Sequence, residues 1–268
     1  RGEIIFLAGV LMIEISNMTL SFGEKTALDE ASISCADGEI VGIIGPAGSG
    51  KSSLLLAAAG RLKSYRGSVL LDRRDIKKMN KRERERSVSF FNGASPLNTE
   101  DTLENFVVLS RVCGRSPLSP LTDVDREIAG TYIADLGIER SSSEKIGELC
   151  KNDLVLTLLA HAFTREPRRI VLDEPGRFLD LNSLRLLHRT LAKISARAHA
   201  AILFCTSDIN FASQMSDRIA VLYQGRIVEE GKPSIITAET VRRYFGVDAV
   251  MSKNIFNGRP EVHFFPEN

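Results

Sequence analysis

The chain has 268 residues, 35 Lys and Arg against 34 Asp and Glu, and 43% hydrophobic content, enough to bury a full core as one large domain or one domain with an insertion. A formal charge of +1 gives no electrostatic ground for a nucleic-acid or acidic-membrane partner. The cysteines (Cys35, Cys113, Cys150, Cys205) are scattered, with no CxxC and no histidine at ligand spacing, so a reducing compartment is expected and a zinc site is not.

The first apolar run, IIFLAGVLMI at 4–13, falls short of the roughly 20 residues a membrane helix needs. No small-residue cleavage site follows it. Met12 is the expected start, with residues 1–11 an extension, and the chain is not expected to span a membrane by itself. MIEISNMTLSF and KTALDEASISC read as two strands around a GEK turn. EIVGIIG is a continuous apolar run of the kind a fully buried parallel strand requires, and KSSLLLAAAGRL is strongly helix-forming. The charged stretch 72–87, DRRDIKKMNKRERERS, reads as a solvated helix with i,i+4 pairs. From 100 to 165 the pattern is mostly helical. Strands RRIVLD and AAILFCT then alternate with helices at 181–198 and 208–216, and RIAVLYQGRIVEEG reads as a hairpin. The expectation is an α/β fold: a P-loop NTPase core with a parallel sheet, an N-terminal antiparallel β subdomain, and an inserted α-helical subdomain at about 93–153.

Gly45-Pro46-Ala47-Gly48-Ser49-Gly50-Lys51-Ser52 satisfies GxxxxGK[ST] in full, between a buried-type strand and a helix, with Ser53 next to it. Glycines let the backbone wrap round an anion, and successive N–H groups point at it from the helix amino end. Lys51 is placed for the β- and γ-phosphates and the Ser52 hydroxyl for Mg²⁺. RRIVLDEP supplies the other half: Asp173 at the strand end to hold Mg²⁺ through water, and Glu174 as the catalytic residue that polarises an attacking water. A nucleoside triphosphate and Mg²⁺ are the ligands these motifs require.

With both phosphate motifs in place, the chain resembles the ATP-binding subunit of an ABC transporter from Met12 nearly to its end. VLDEPGRFLDLN matches that family's Asp-Glu-Pro and later D-loop aspartate (Asp180), and DRIAVLYQGRIVEEGKP its terminal hairpin. Phe22 falls where the family stacks an aromatic ring on adenine. FLDLN, VVLSRVCGR and the tail YFGVDAVMSKNIFNGRP are similar to the ATPases of iron-chelate, haem and cobalamin importers. The resemblance implies an ATP-binding domain over 12–247, a tail at 248–268, transmembrane permease partners, and a location on the inner, cytoplasmic face of the membrane. It also implies a second ATP-binding subunit, closing head to tail so that each phosphate loop faces the partner's LSGGQ-type signature.

Three positions depart from the pattern. Counting back from Glu166-Pro167, the signature falls on Leu149-Cys150-Lys151-Asn152-Asp153, where only the leucine is kept. A thiol replaces a hydroxyl donor, side chains stand where glycines would admit phosphate, and Asp153 repels a polyanion. The switch histidine is Ser207, too short to bridge γ-phosphate and water, and the Q-loop glutamine is Asn92, a nucleotide and Mg²⁺ contact shortened by a methylene. The expectation is an energy-coupling subunit that binds ATP but hydrolyses it weakly or asymmetrically, paired with an intact subunit or with itself. The alternative is a regulatory or assembly module that binds nucleotide without productive hydrolysis.

Overall fold

The computed structural model describes residues 12–93, 98–112, 115 and 119–264, so the segment 1–11 lies outside the described residues. β1 (Met12–Phe22) and β2 (Lys25–Ala36) form a hairpin through Gly23 and Glu24, with Phe22 opposite Lys25 and Ile15 opposite Ile33. β3 (Ile40–Ile44) is buried along its whole length and runs into the loop that starts α1 (Lys51–Ala58). β4 (Arg66–Leu71) returns antiparallel to β1, and the two-residue β5 (Arg74–Asp75) completes a four-stranded sheet ordered β2-β1-β4-β5.

The charged stretch at 72–87 is therefore not one helix. Asp72 and Arg73 take left-handed φ values of 51° and 63°, which turn the chain from β4 into β5. Asp75 then accepts the Lys77 N–H at 2.9 Å to start a single 3₁₀ turn. Only α2 (Lys81–Ser87) is α-helical, started by Asn80 and Glu83 in a reciprocal capping box. The alternating charges there serve turns and caps as well as the Lys81–Glu85 pair.

After β6 (Ser89–Phe91) come α3 (Leu103–Leu109), α4 (Asp123–Asp135) and α5 (Lys151–Thr164). They pack on one another through Val107, Ala129, Ile133, Leu156 and Phe163. Buried Asp125 receives Arg111 Nε at 3.0 Å and Arg115 Nη2 at 2.8 Å. β7 (Arg169–Asp173), α6 (Leu181–Ala198), β8 (Ala201–Thr206), α7 (Ile209–Met215), β9 (Arg218–Tyr223) and β10 (Arg226–Gly231) follow.

The central sheet runs β10-β9-β3-β8-β7-β6, parallel except for the edge strand β10. Its strands are apolar on both faces because both are covered, the usual condition for parallel sheets. Val41, Ile43, Val171 and Leu203 pack with α1 and the antiparallel sheet. Their neighbours Ile40, Ile44, Leu172 and Phe204 pack with the helical side. The carboxyl ends of β3, β7 and β8 thus emerge side by side.

α8 (Ala238–Phe245) leads to a hairpin of β11 (Ala249–Lys253) and β12 (Pro260–Phe264), strands that the polar tail composition did not announce. This hairpin is fastened to α7. Val262 N–H donates to Asn210 Oδ1 at 2.7 Å, and Arg259 Nη1 donates to the carbonyls of Ser213, Gln214 and Ser216 at 2.8, 3.0 and 2.6 Å. Among the described residues no helix is long and apolar enough to cross a membrane.

Candidate nucleotide site

The phosphate loop is shaped by contacts that only glycine permits. A Cβ on Gly45 would lie 2.1 Å from the Leu222 carbonyl oxygen. On Gly50, where φ is 107°, it would lie 2.3 Å from that of Ala27. The β9–β10 turn pins the loop: Gly225 N–H donates to Ser49 O at 3.1 Å, and Asp29 N–H on β2 donates to Gly225 O at 2.9 Å. Lys51 is buried and folds back, donating to the carbonyls of Gly45 at 2.6 Å and Pro46 at 3.0 Å. The Ser49 hydroxyl is buried with no hydrogen-bond partner, a donor left over beside the loop. Gly50 caps α1 without a side-chain hydrogen bond, and the first turn holds no acid, so its amides stay open to an anion.

Ser52, Asn92, Asp173 and Glu174 line one pocket of about 320 Å³, together with Lys151 and Phe178. Asp173 ends β7 opposite Cys205 in the parallel register, and the Cys205 thiol donates to Asp173 Oδ1 at 2.9 Å. Burial, and then the adjacent Asp173 carboxylate, push that thiol well above its ordinary pKa, so it remains a donor. Glu174 takes a left-handed φ of 51° and donates its N–H to Cys205 O at 3.0 Å. Both its carboxylate oxygens are engaged: Ser207 Oγ donates to Oε1 at 2.7 Å and Thr206 Oγ1 to Oε2 at 3.1 Å.

A hydroxyl, a carboxylate and an amide oxygen on one pocket wall are hard donors that fit Mg²⁺. Among the described residues no group of three or more His, Cys, Asp and Glu gathers, so a dedicated all-protein cage is not what they build. A Mg²⁺ ion there would draw its remaining ligands from phosphate and water, with Ser52, Asp173 and Asn92 as the protein's share.

The remaining positions stand apart from that pocket. Phe22, 55% exposed, lies on the rim of a separate concavity of about 730 Å³ beside Ala59, Gly60 and Arg61. Asp180 caps α6 by accepting the Ser183 N–H at 2.8 Å, and that bond holds its carboxyl below the ordinary value. Ser207 opens onto a neighbouring pocket of about 450 Å³ with Gly176 and Phe211, and Glu174 lines both.

At the amino end of α5, Cys150 is the cap, its sulfur accepting the Asp153 N–H at 3.5 Å. Asp153 also receives Ser141 Oγ at 3.3 Å and Asn152 Nδ2 at 3.1 Å. Asn152 Oδ1 in turn accepts the Asp180 N–H at 3.2 Å. The roles of Cys205 and Thr206 were not legible from their types. Only the strand register sets a thiol against Asp173, although Thr206 beside Ser207 offered a cue.

A glycine-wrapped loop at the carboxyl end of a buried parallel strand, with paired carboxylates on the next strand but one, defines a P-loop nucleotide-binding protein. Residues 28–177 match the ABC transporter family, and the chain belongs to that family as one of its ATP-binding domains. The petrobactin import ATP-binding protein YclP of Bacillus subtilis is 28% identical over 94% of this chain and 100% of its own length. The phosphonates import ATP-binding protein PhnC of Rhizobium johnstonii is 30% identical over 88% of this chain and 87% of its own. An ATP-binding cassette solved as a dimer in a post-hydrolysis state with ADP and Pi superposes with a TM-score of 0.74. It is 25% identical and covers 82% of this chain and 98% of its own.

Proposed function

We propose that this chain is the ATP-binding, energy-coupling subunit of an importer, and that it turns ATP over weakly or at only one of two paired sites. The observation that carries this reading is the Glu174 carboxylate. It shares a pocket with Ser52 and Asp173, yet both its oxygens already accept the hydroxyls of Ser207 and Thr206. Hydroxyls that donate to both oxygens lower the basicity of the carboxylate and fix its orientation, which weakens it as the acceptor of a proton from an attacking water. Binding groups are intact while the activating group is tethered.

Phosphoryl transfer depends on positioning and charge stabilisation, and losing one stabiliser can cost on the order of 10³–10⁵ in rate. The side chains at 150–153 weaken the anion site that a partner's nucleotide would meet, which supports pairing with an intact subunit over self-pairing. The cargo is an iron chelate, haem or cobalamin-like molecule, on the strength of FLDLN and the tail; the relative named for petrobactin import agrees with the import class. Domain limits are 12–247, with the helical unit at about 93–153 and the tail at 248–268. The seat we assign to a permease segment is the groove beside Asn92 and the helical unit at about 93–153. Attachment there would hold the chain on the inner face of the membrane.

The tethered Glu174 also favours the second reading, a regulatory module that binds ATP without hydrolysing it. The test is Mg-ATP turnover by the chain and by Ser207→His, with Glu174→Gln as the reference. Little turnover that rises at least about tenfold in Ser207→His, and vanishes in Glu174→Gln, supports the impaired coupling subunit. Brisk turnover by the unmodified chain overturns it, and no turnover in any variant or assembly leaves the regulatory module.

A further inference from the structure

The end of β8 and the residue after it carry three consecutive donors, and these divide the two acids of β7 between them. Thr206 and Ser207 hold the two oxygens of Glu174, while the Cys205 thiol donates to Asp173 Oδ1 at 2.9 Å. The Cys205 carbonyl also accepts the Glu174 N–H at 3.0 Å. Among the described residues the thiol is the one hydrogen-bond partner of the Asp173 carboxylate, and Oδ2 has none.

Packing alone does not call for a thiol at this position. Cys205 is fully buried, in register with Ile43 on one side and Asp173 on the other. It belongs to the apolar cluster that holds Ile43, Leu54, Val171 and Leu203. A valine fills such a strand position equally well; what cysteine adds is an S–H. That S–H reaches the half-buried Asp173 from the side away from solvent, while Asp173 lines the 320 Å³ pocket with Ser52 and Asn92.

We propose that Cys205 is a positioning residue for the Mg²⁺ that accompanies a bound nucleoside triphosphate: its S–H fixes the Asp173 carboxylate through Oδ1 and leaves Oδ2 for the ion. The proposal rests on the reading that this chain binds ATP with Mg²⁺. Carboxylates that serve metals are oriented by hydrogen bonds from behind, and losing one such bond lowers metal affinity about 10–100-fold. A thiol is a weak donor, so it orients Asp173 while drawing off little of its charge. Metal affinity is thus set by a side chain that touches neither nucleotide nor ion.

Calorimetric ATP affinity, measured across a range of Mg²⁺ concentrations and with EDTA, tests this. Cys205→Val is expected to raise the Mg²⁺ concentration that half-saturates the tightening of ATP about tenfold, with metal-free ATP affinity changed less than about twofold. Cys205→Ser, which keeps a donor, should restore most of the loss, and Cys205→Ala keeps the test open if Cys205→Val does not fold. A second readout is the infrared S–H stretching band of Cys205, isolated as the difference between the unmodified chain and Cys205→Val. Adding Mg²⁺ to the ATP-bound chain should move that band to higher frequency, because an ion on Asp173 weakens the hydrogen bond it accepts. Equal weakening of ATP with and without Mg²⁺, an unchanged Mg²⁺ requirement, no rescue by serine, or a band that ignores Mg²⁺ would overturn the proposal. Lys51→Ala checks the underlying reading separately: if it leaves ATP binding intact, the nucleotide reading falls and takes the cysteine with it. If Lys51→Ala abolishes binding while Cys205→Val leaves the Mg²⁺ requirement unchanged, the cysteine proposal falls alone.

Discussion

The starts of α1 and α5 both line the 320 Å³ pocket, and they are built in opposite ways. At α1 the cap is Gly50 in a left-handed conformation, with no side-chain hydrogen bond and no acid in the first turn. At α5 the cap is Cys150, whose sulfur takes an amide, and Asp153 fills the first turn. One helix leaves its positive end clear of side chains; the other has one amide taken by its cap and a carboxylate in its first turn. A helix amino terminus becomes an anion site by what is withheld from it. α5 has kept the helix and lost the vacancy.

The largest break in this contrast comes at Gly50. A methyl group at φ 107°, 2.3 Å from the Ala27 carbonyl, forces the loop off β2. Gly50→Ala is expected to abolish measurable ATP binding and to destabilise the fold by about 2–4 kcal/mol, read by calorimetry and denaturant unfolding. A Gly50→Ala variant that binds ATP normally would mean that loop shape does not set affinity.

A second experiment separates the helical region from the core by pH. Arg115, the buried surroundings and the Thr122 N–H act on Asp125, with the Arg115 hydrogen bond dominant, and the net effect holds its carboxyl well below the usual carboxylate range. A lowered folded-state pKa gives stability that is fully present above the unfolded value near 4 and is lost as pH falls below it. Thermal unfolding followed from about pH 6 downward should show helical signal lost first below about pH 4. Asp125→Asn should remove that slope and lower the melting temperature already at neutral pH, because it leaves Arg111 and Arg115 without their shared charge.

The smallest effect is at Cys150. A thiol is a poor cap, so Cys150→Ser should stabilise by a few tenths of a kcal/mol, and Cys150→Ala should cost less than about 1 kcal/mol. Little change in nucleotide affinity from either would sharpen the view that this helix start serves structure.

Most of the fold could be read from pattern. The apolar run of β3 and the strand–helix alternation after residue 168 appear in the sheet order, and the helix expected at 181–198 is α6 with those ends. The stretch at 72–87 misled because Asp72 and Arg73 carry no glycine or proline to advertise a turn, although both adopt left-handed backbone. At the site, the phosphate loop is contiguous and therefore visible in sequence. The clasp on Glu174 joins residues 32 and 33 positions apart, across strands that only folding makes neighbours.

The terminal hairpin bears on where the chain can be shortened. Arg259 supplies one guanidinium to the last carbonyls of α7, the helix that follows Ser207 directly. A chain cut at residue 247 would keep every nucleotide motif and still unfasten that helix, letting Ser207 and its grip on Glu174 drift. A chain shortened in this way would present a different nucleotide pocket from the whole chain's, its shape set by which hydroxyls still reach the glutamate.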